Sequence, residues 1–189
     1  MKIDTKKILL AVILIACLIA IPFSISAATA RWYTYHILNV WSVDSGKHLD
    51  WNGSTIYLSY FKTGVNTWNA YKSGVIREDG AFTIKDVTIS DVNDFEDNSV
   101  AVTTQYHNGS GGKSTSATIQ FSKTKMETLS SMQKTIVCTH ELGHTLGLSE
   151  NNDNGTSPVM YNNIAYNTSN NVLHSEDKFN YDYMYNNKY

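Results

Sequence analysis

Thr139-His140-Glu141-Leu142-Gly143-His144-Thr145-Leu146-Gly147-Leu148-Ser149-Glu150 is the stretch on which the reading of this 189-residue chain turns. If it is helical, His140 and His144 stand four residues apart on one face, one turn above the other, where two ring nitrogens can meet one metal ion. Glu141 lies beside them, placed to take a proton from an attacking water and later deliver it to a leaving amine. A catalytic zinc ordinarily has three protein ligands and one open position. Glu150 is six residues past His144, and an unbroken helix would rotate it by about 600°, away from the metal. The helix must therefore stop. Gly147 stands where a left-handed residue could end it and turn Glu150 back beneath the histidines.

The string H-E-x-x-H-x-x-G-x-x-E, with Ser157-Pro158-Val159-Met160-Tyr161 downstream, resembles the zinc site and Met-turn of the metzincin endopeptidases, most closely a small matrixin-like member. A bare H-E-x-x-H can arise by accident, but the spaced glycine, a third liganding residue and the Met-turn together make accident a poor explanation. The resemblance implies zinc (Zn2+) held by His140, His144 and Glu150, with Glu141 as general base and then acid, and Met160 supporting the site from below. It also implies an α+β fold: one catalytic domain with a twisted, mixed β-sheet, an active-site helix flooring a cleft, and a C-terminal helix. The family's third ligand is usually His and sometimes Asp, so Glu150 is a departure, and Asp153 and His174 stand as its competitors. Matrixins often hold a second, structural zinc through several histidines and an Asp. Only His107 is present in the corresponding region, so that site is expected to be missing.

The beginning of the chain reads as an export signal over residues 1–30: Lys2, Lys6 and Lys7 precede an apolar run from Ile8 to Ile21, followed by Pro22 and small residues. Ser26-Ala27-Ala28 and Ala28-Thr29-Ala30 both suit a signal peptidase. The run is nearly long enough to be an uncleaved anchor, and Leu14-Ile15-Ala16-Cys17 resembles a lipobox, although the residues after Cys17 stay apolar where a lipoprotein turns polar. Cleavage leaves residues 31–189 as one catalytic domain. The signal carries three of the 15 basic and one of the 17 acidic residues, so the remainder is mildly acidic, which argues against a nucleic-acid partner. Cys138 is then the one cysteine left; no internal disulfide can form, and a small buried side chain is its expected role. With no cysteine to present to the metal from an N-terminal prosegment, the enzyme is expected to be active on secretion.

Residues 35–43 read as an irregular lead-in or short strand, with His36 and His48 as surface residues. Thr55-Ile56-Tyr57-Leu58 reads as the first strand, set off by Asn52-Gly53. Phe61, Val65, Trp68 and Tyr71 then form the apolar stripe of a helix ended near Gly74. Three strands follow, carried by Phe82, Ile84, Val87 and Ile89, by Val100, Val102 and Tyr106, and by Ala117, Ile119 and Phe121. The acidic stretch 91–98 offers hard oxygen donors that could hold calcium (Ca2+), with a solvated loop as the favoured reading. Residues 107–112 are a loop. The active helix spans 126–148, with Met132, Ile136 and Val137 on its buried face, and a turn beginning at Thr156 sets Met160 below the metal. His174 precedes the cap of a last helix in which Phe179, Tyr183 and Met184 pack against the active helix.

The function expected is a secreted zinc metalloendopeptidase, a monomer without stable membrane association after signal cleavage, acting on peptide or protein substrates. An unpaired sheet edge near residues 100–105 would bind an extended peptide by strand addition. The alternative is a secreted zinc-binding interaction module without catalysis. Glu141 argues against it, because a structural site has no use for a base. No basic amphipathic helix supports a membrane-acting toxin.

Overall fold

A computed structural model describes residues 35–80, 85–152, 159–163 and 170–189. The chain divides into units Met1–Trp32 and Tyr33–Tyr189, and every described residue lies in the second. The signal-like run, its cleavage sites, Phe82, Ile84, Asp153 and Thr156 to Pro158 therefore lie outside the described residues. Among the described residues no helix is long and apolar enough to cross a membrane.

Among the described residues, seven strands and four helices make up an α+β fold. Strands β1 (Val40–Trp41) and β2 (Leu49–Gly53) precede helix α1 (Leu58–Tyr71); strands β3 (Ile76–Glu78), β4 (Val87–Val92), β5 (Ala101–Tyr106), β6 (Gly112–Lys113) and β7 (Ser116–Ser122) follow it, and helices α2 (Lys123–Glu127), α3 (Ser131–Thr145) and α4 (Ser175–Asn187) come last. The main sheet has the order β3-β2-β4-β7-β5. Its first four strands run parallel, and β5 closes it antiparallel to β7 from Ala101 opposite Phe121 to Tyr106 opposite Ser116. In β7 the buried Ala117, Ile119 and Phe121 alternate with Thr118 and Gln120, the period-2 pattern of a strand with one face on a core. That core is aromatic: Trp51, Phe61, Trp68 and Phe121 pack with Ile89, Leu142 and Tyr181. Helix α1 buries Phe61, Val65 and Trp68, and the Trp68 indole donates to the Thr139 carbonyl at 2.8 Å, so α1 braces α3 one residue before His140.

Several elements differ from the sequence expectation. The first strand of the main sheet is Leu49–Gly53, and it includes the Asn-Gly pair expected to be a turn. Thr55 and Ile56 lead into α1, because the Asp91 carboxylate accepts the Ile56 N–H at 2.9 Å and the Thr55 hydroxyl, leaving Ile56 69% exposed. Local alternation is overridden by hydrogen bonds that a β4 carboxylate accepts from the two residues ahead of the helix N-cap, Tyr57. The active helix is not continuous from 126. A capping box at Ser130 and Gln133 separates α2 from α3, leaving Met126 buried but Met132 40% exposed instead of on the buried face. Strand β3 is new, and part of the loop after His107 pairs as β6 with β1. In α4 the core positions are Tyr181 and Met184, whereas Phe179 and Tyr183 pack against Tyr35 with ring centroids 4.9 and 4.3 Å away. Carboxylates of the 91–98 stretch serve as hydrogen-bond acceptors: Asp94 takes the Ser122 hydroxyl at 2.9 Å and Asp97 the Ser99 N–H at 3.0 Å.

Candidate metal centre

Helix α3 carries His140, Glu141 and His144 in its last two turns and ends at Leu146. Gly147 follows with φ of 82°, the left-handed conformation that glycine adopts without a Cβ penalty. A Cβ there would also fall on the Met184 methyl. The reversal returns Glu150 so that its Oε1 lies 3.2 Å from His140 Nε2 and 3.5 Å from His144 Nε2, the two nitrogens being 3.1 Å apart.

The tautomers follow from the second ring nitrogens. His140 Nδ1 bonds the Val159 carbonyl and His144 Nδ1 the Leu148 carbonyl, each at 2.9 Å. A carbonyl oxygen only accepts, so both Nδ1 atoms carry the hydrogen and both Nε2 atoms of the neutral rings present lone pairs. Two lone pairs and a carboxylate oxygen thus converge with no donor among them, an arrangement stable only around positive charge. Bonds of about 2.0–2.1 Å to a tetrahedral zinc would set neighbouring ligand atoms roughly 3.3–3.4 Å apart, and the three observed separations bracket that distance. Glu150 Oε2 is buried with no hydrogen-bond partner among the described residues. The residues fit a zinc ion. Among the described residues they are the group of three His, Cys, Asp or Glu side chains placed to hold a metal.

The electrostatics express the same preference. Protonation of His140 would put a donor into that set: burial pulls the imidazole down, but the hydrogen bond its protonated Nε2 gives Glu150 and the charges of Glu141 and Glu150 outweigh it and lift the group to about 9. Burial opposes ionisation of Glu150, yet hydrogen bonds to both histidines hold its carboxyl well below the usual range.

Met160 lies under the helix, and a Cβ on Gly143 would overlap its sulphur, so residue 143 is glycine because the turn approaches so closely. The turn is held from α4: buried Asp177 accepts the N–H groups of Val159, Met160 and His174 at 3.0, 3.2 and 2.8 Å. His174, the competitor for the third ligand, is the N-cap residue of α4 and stands outside the cluster. Asp153 lies outside the described residues.

Glu141 is buried against β5. The Thr103 hydroxyl bonds Glu141 Oε2 at 2.6 Å, and the Gln105 amide donates to the His144 carbonyl at 2.7 Å. Residues 103 and 105 share one face of the edge strand and both grip α3. Clefts flank this contact, one of about 400 Å³ lined by Val100, Ala101, Glu141 and Tyr161, the other of about 310 Å³ along Gln105, His107 and His144. Cys138 is fully buried, and burial pushes its thiol pKa far up, which removes it as a nucleophile.

His36 overturns its reading as a surface residue. It is half-buried, and its Nδ1 donates to the Glu150 carbonyl at 3.1 Å. Sequence reasoning also missed Thr103 and Asp177. Thr103 and His36 contact the site from 38 and 114 residues away, distances over which no local pattern speaks. Asp177 had a readable signal, a carboxylate three residues after a helix cap.

The chain matches no curated protein. The sequence profile of the matrixins matches residues 77–186. Helix α3, the reversal at Gly147 and the Met160 turn all fall inside that span, and a match over more than half of the chain places it in the matrixin peptidase family.

Proposed function

We propose that the protein is a secreted zinc-dependent endopeptidase, its zinc held by His140, His144 and Glu150. The observation that carries this reading is the convergence of three acceptor atoms within 3.1–3.5 Å of one another beside Glu141, a carboxylate outside the set. Zinc, when bound, supplies a Lewis acid that polarises the scissile carbonyl and acidifies the attacking water. Glu141 takes that water's proton and passes it to the departing amine. With Oε2 engaged by Thr103, Oε1 is the oxygen left to receive it. Strand β5 ends the sheet, and its outer backbone groups suit an extended peptide added as a further strand between the two clefts. Backbone pairing of this kind gives affinity with modest side-chain selectivity. The charged start, apolar run and small residues of 1–30 support export, and sequencing the secreted form should find it beginning after Ala28 or Ala30.

The purified protein should carry one zinc per chain and hydrolyse casein or gelatin until a chelator is added. Glu141→Gln should keep the zinc while losing at least about 10²–10⁴-fold in rate, since the amide preserves shape but takes no proton. Hydrolysis indifferent to chelation would end the reading. Loss of zinc from the Gln variant would instead make Glu141 a ligand.

A further inference from the structure

We infer that His36 is a positioning residue of the metal centre: by holding the Glu150 backbone it sets the third ligand against the two histidines. This inference rests on the zinc reading above.

The helix that carries His140 and His144 is rigid, but Glu150 reaches the cluster from a turn that has left the helix, and something must fix that turn. The segment before β1 does so. Ile37 pairs antiparallel with Leu148. Leu38 N–H donates to the Gly147 carbonyl at 2.7 Å, Ser149 N–H to the His36 carbonyl at 3.1 Å, and Ser42 N–H to the Thr145 carbonyl at 2.8 Å. These bonds hold Thr145, Gly147 and Ser149 along the path from the helix end toward Glu150. The Glu150 peptide itself is then held by the His36 side chain, whose Nδ1 must carry the hydrogen because its partner is a carbonyl. That carbonyl carbon is bonded to the Glu150 Cα, so with residue 149 already held, holding it restrains φ and ψ together at the ligand residue and hence the Cα–Cβ direction. On the far side, Asn151 N–H donates to the Met160 carbonyl at 2.8 Å. His36 is anchored in turn, its own N–H donating to the Asn180 side chain of α4 at 3.0 Å. Three histidines therefore surround the centre in one tautomer, each giving its Nδ1 hydrogen to a carbonyl; two offer Nε2 as ligands and the third aligns the carboxylate.

Zinc affinity, measured by competition with a chromophoric chelator, tests this on the whole secreted chain. His36→Phe keeps a ring without a donor, and His36→Asn keeps an N–H near the place of Nδ1. The Phe variant should bind zinc about 10–100-fold more weakly, as for other residues that orient a ligand, and its cobalt-substituted form should show an altered visible absorption band. The Asn variant should bind close to wild type. His48→Ala, which removes a half-buried histidine that lies beside Asp44 and outside the cluster, should change nothing. Equal affinity in wild type and the Phe variant overturns the inference, and equal weakening in Phe and Asn overturns the hydrogen bond as its basis. A wild-type protein that binds no zinc overturns the metalloprotease reading itself.

Discussion

His140 is the residue through which acid competes with metal. Its pKa is lifted to about 9 because the attraction of Glu150 and Glu141 outweighs burial, so at neutral pH without metal the cluster holds a proton that zinc must displace. Apparent zinc affinity should therefore climb about tenfold per pH unit between pH 7 and 9 and flatten above, the slope expected for release of one proton. The sign for stability follows from the same shift. A raised imidazole contributes stability that is present below its unfolded value and lost as pH rises through about 9. Chelated protein should thus melt lower at pH 9.5 than at pH 7. A flat affinity profile over pH 7 to 9 would contradict the assignment of His140 as the protonated partner. His140, Glu141, His144 and Glu150 were legible in the sequence because helical periodicity and one glycine stop relate them across eleven residues. Thr103 and His36 were not, since the sheet edge and the lead-in meet the helix only after the whole domain has closed.

Between elements, the decisive contact is Asp177 at the start of α4. Its carboxylate is 1% exposed and holds two N–H groups of the Met160 turn together with the cap of its own helix. The Val159 carbonyl on that turn in turn fixes His140. Hydrogen bonds to a charged acceptor contribute about 1.5–3 kcal/mol each but are not additive, so Asp177→Ala, which strands two buried donors and one half-buried one, should cost about 3 kcal/mol. For a domain of this size that lowers Tm by about 6–12 °C, and zinc affinity should fall with it as the His140 partner loosens. A variant melting within a degree of wild type would remove Asp177 from this role. The elements legible in sequence were those with a strong period of their own, such as α1 through Phe61, Val65 and Trp68 and β7 through Ala117, Ile119 and Phe121. Thr55 to Leu58 misled because a distant carboxylate, Asp91, captured their donors for the helix start. The Ser130–Gln133 box was present in the sequence, but the apolar residues on either side of it masked the break between α2 and α3.

For the molecule as a whole the question is whether the metal builds the fold or only tightens it. The core of Trp51, Phe61, Trp68, Ile89, Phe121, Leu142 and Tyr181 contains no member of the cluster, so burial of apolar surface can drive folding without a bound ion. In the proposed reading zinc would instead tie together α3, the Glu150 turn with the lead-in on it, and the Met160 turn that Asp177 joins to α4. A ligand that binds the folded state alone stabilises it by RT ln(1 + [L]/Kd), about 2.7 kcal/mol when zinc is a hundredfold above Kd, or about 5–11 °C in Tm for a chain of this length. Chelated protein should therefore keep its far-UV circular dichroism at 20 °C, still unfold in one cooperative step, and do so at a temperature lower by that amount. Glu141→Gln should show the same zinc-dependent rise as wild type, because it leaves the three proposed ligands in place, while Glu150→Ala and His144→Ala should show little or none. Loss of helix and sheet signal on chelation at 20 °C would overturn this, since it would place the metal among the determinants of the fold, as in small zinc domains that are unfolded without their ion.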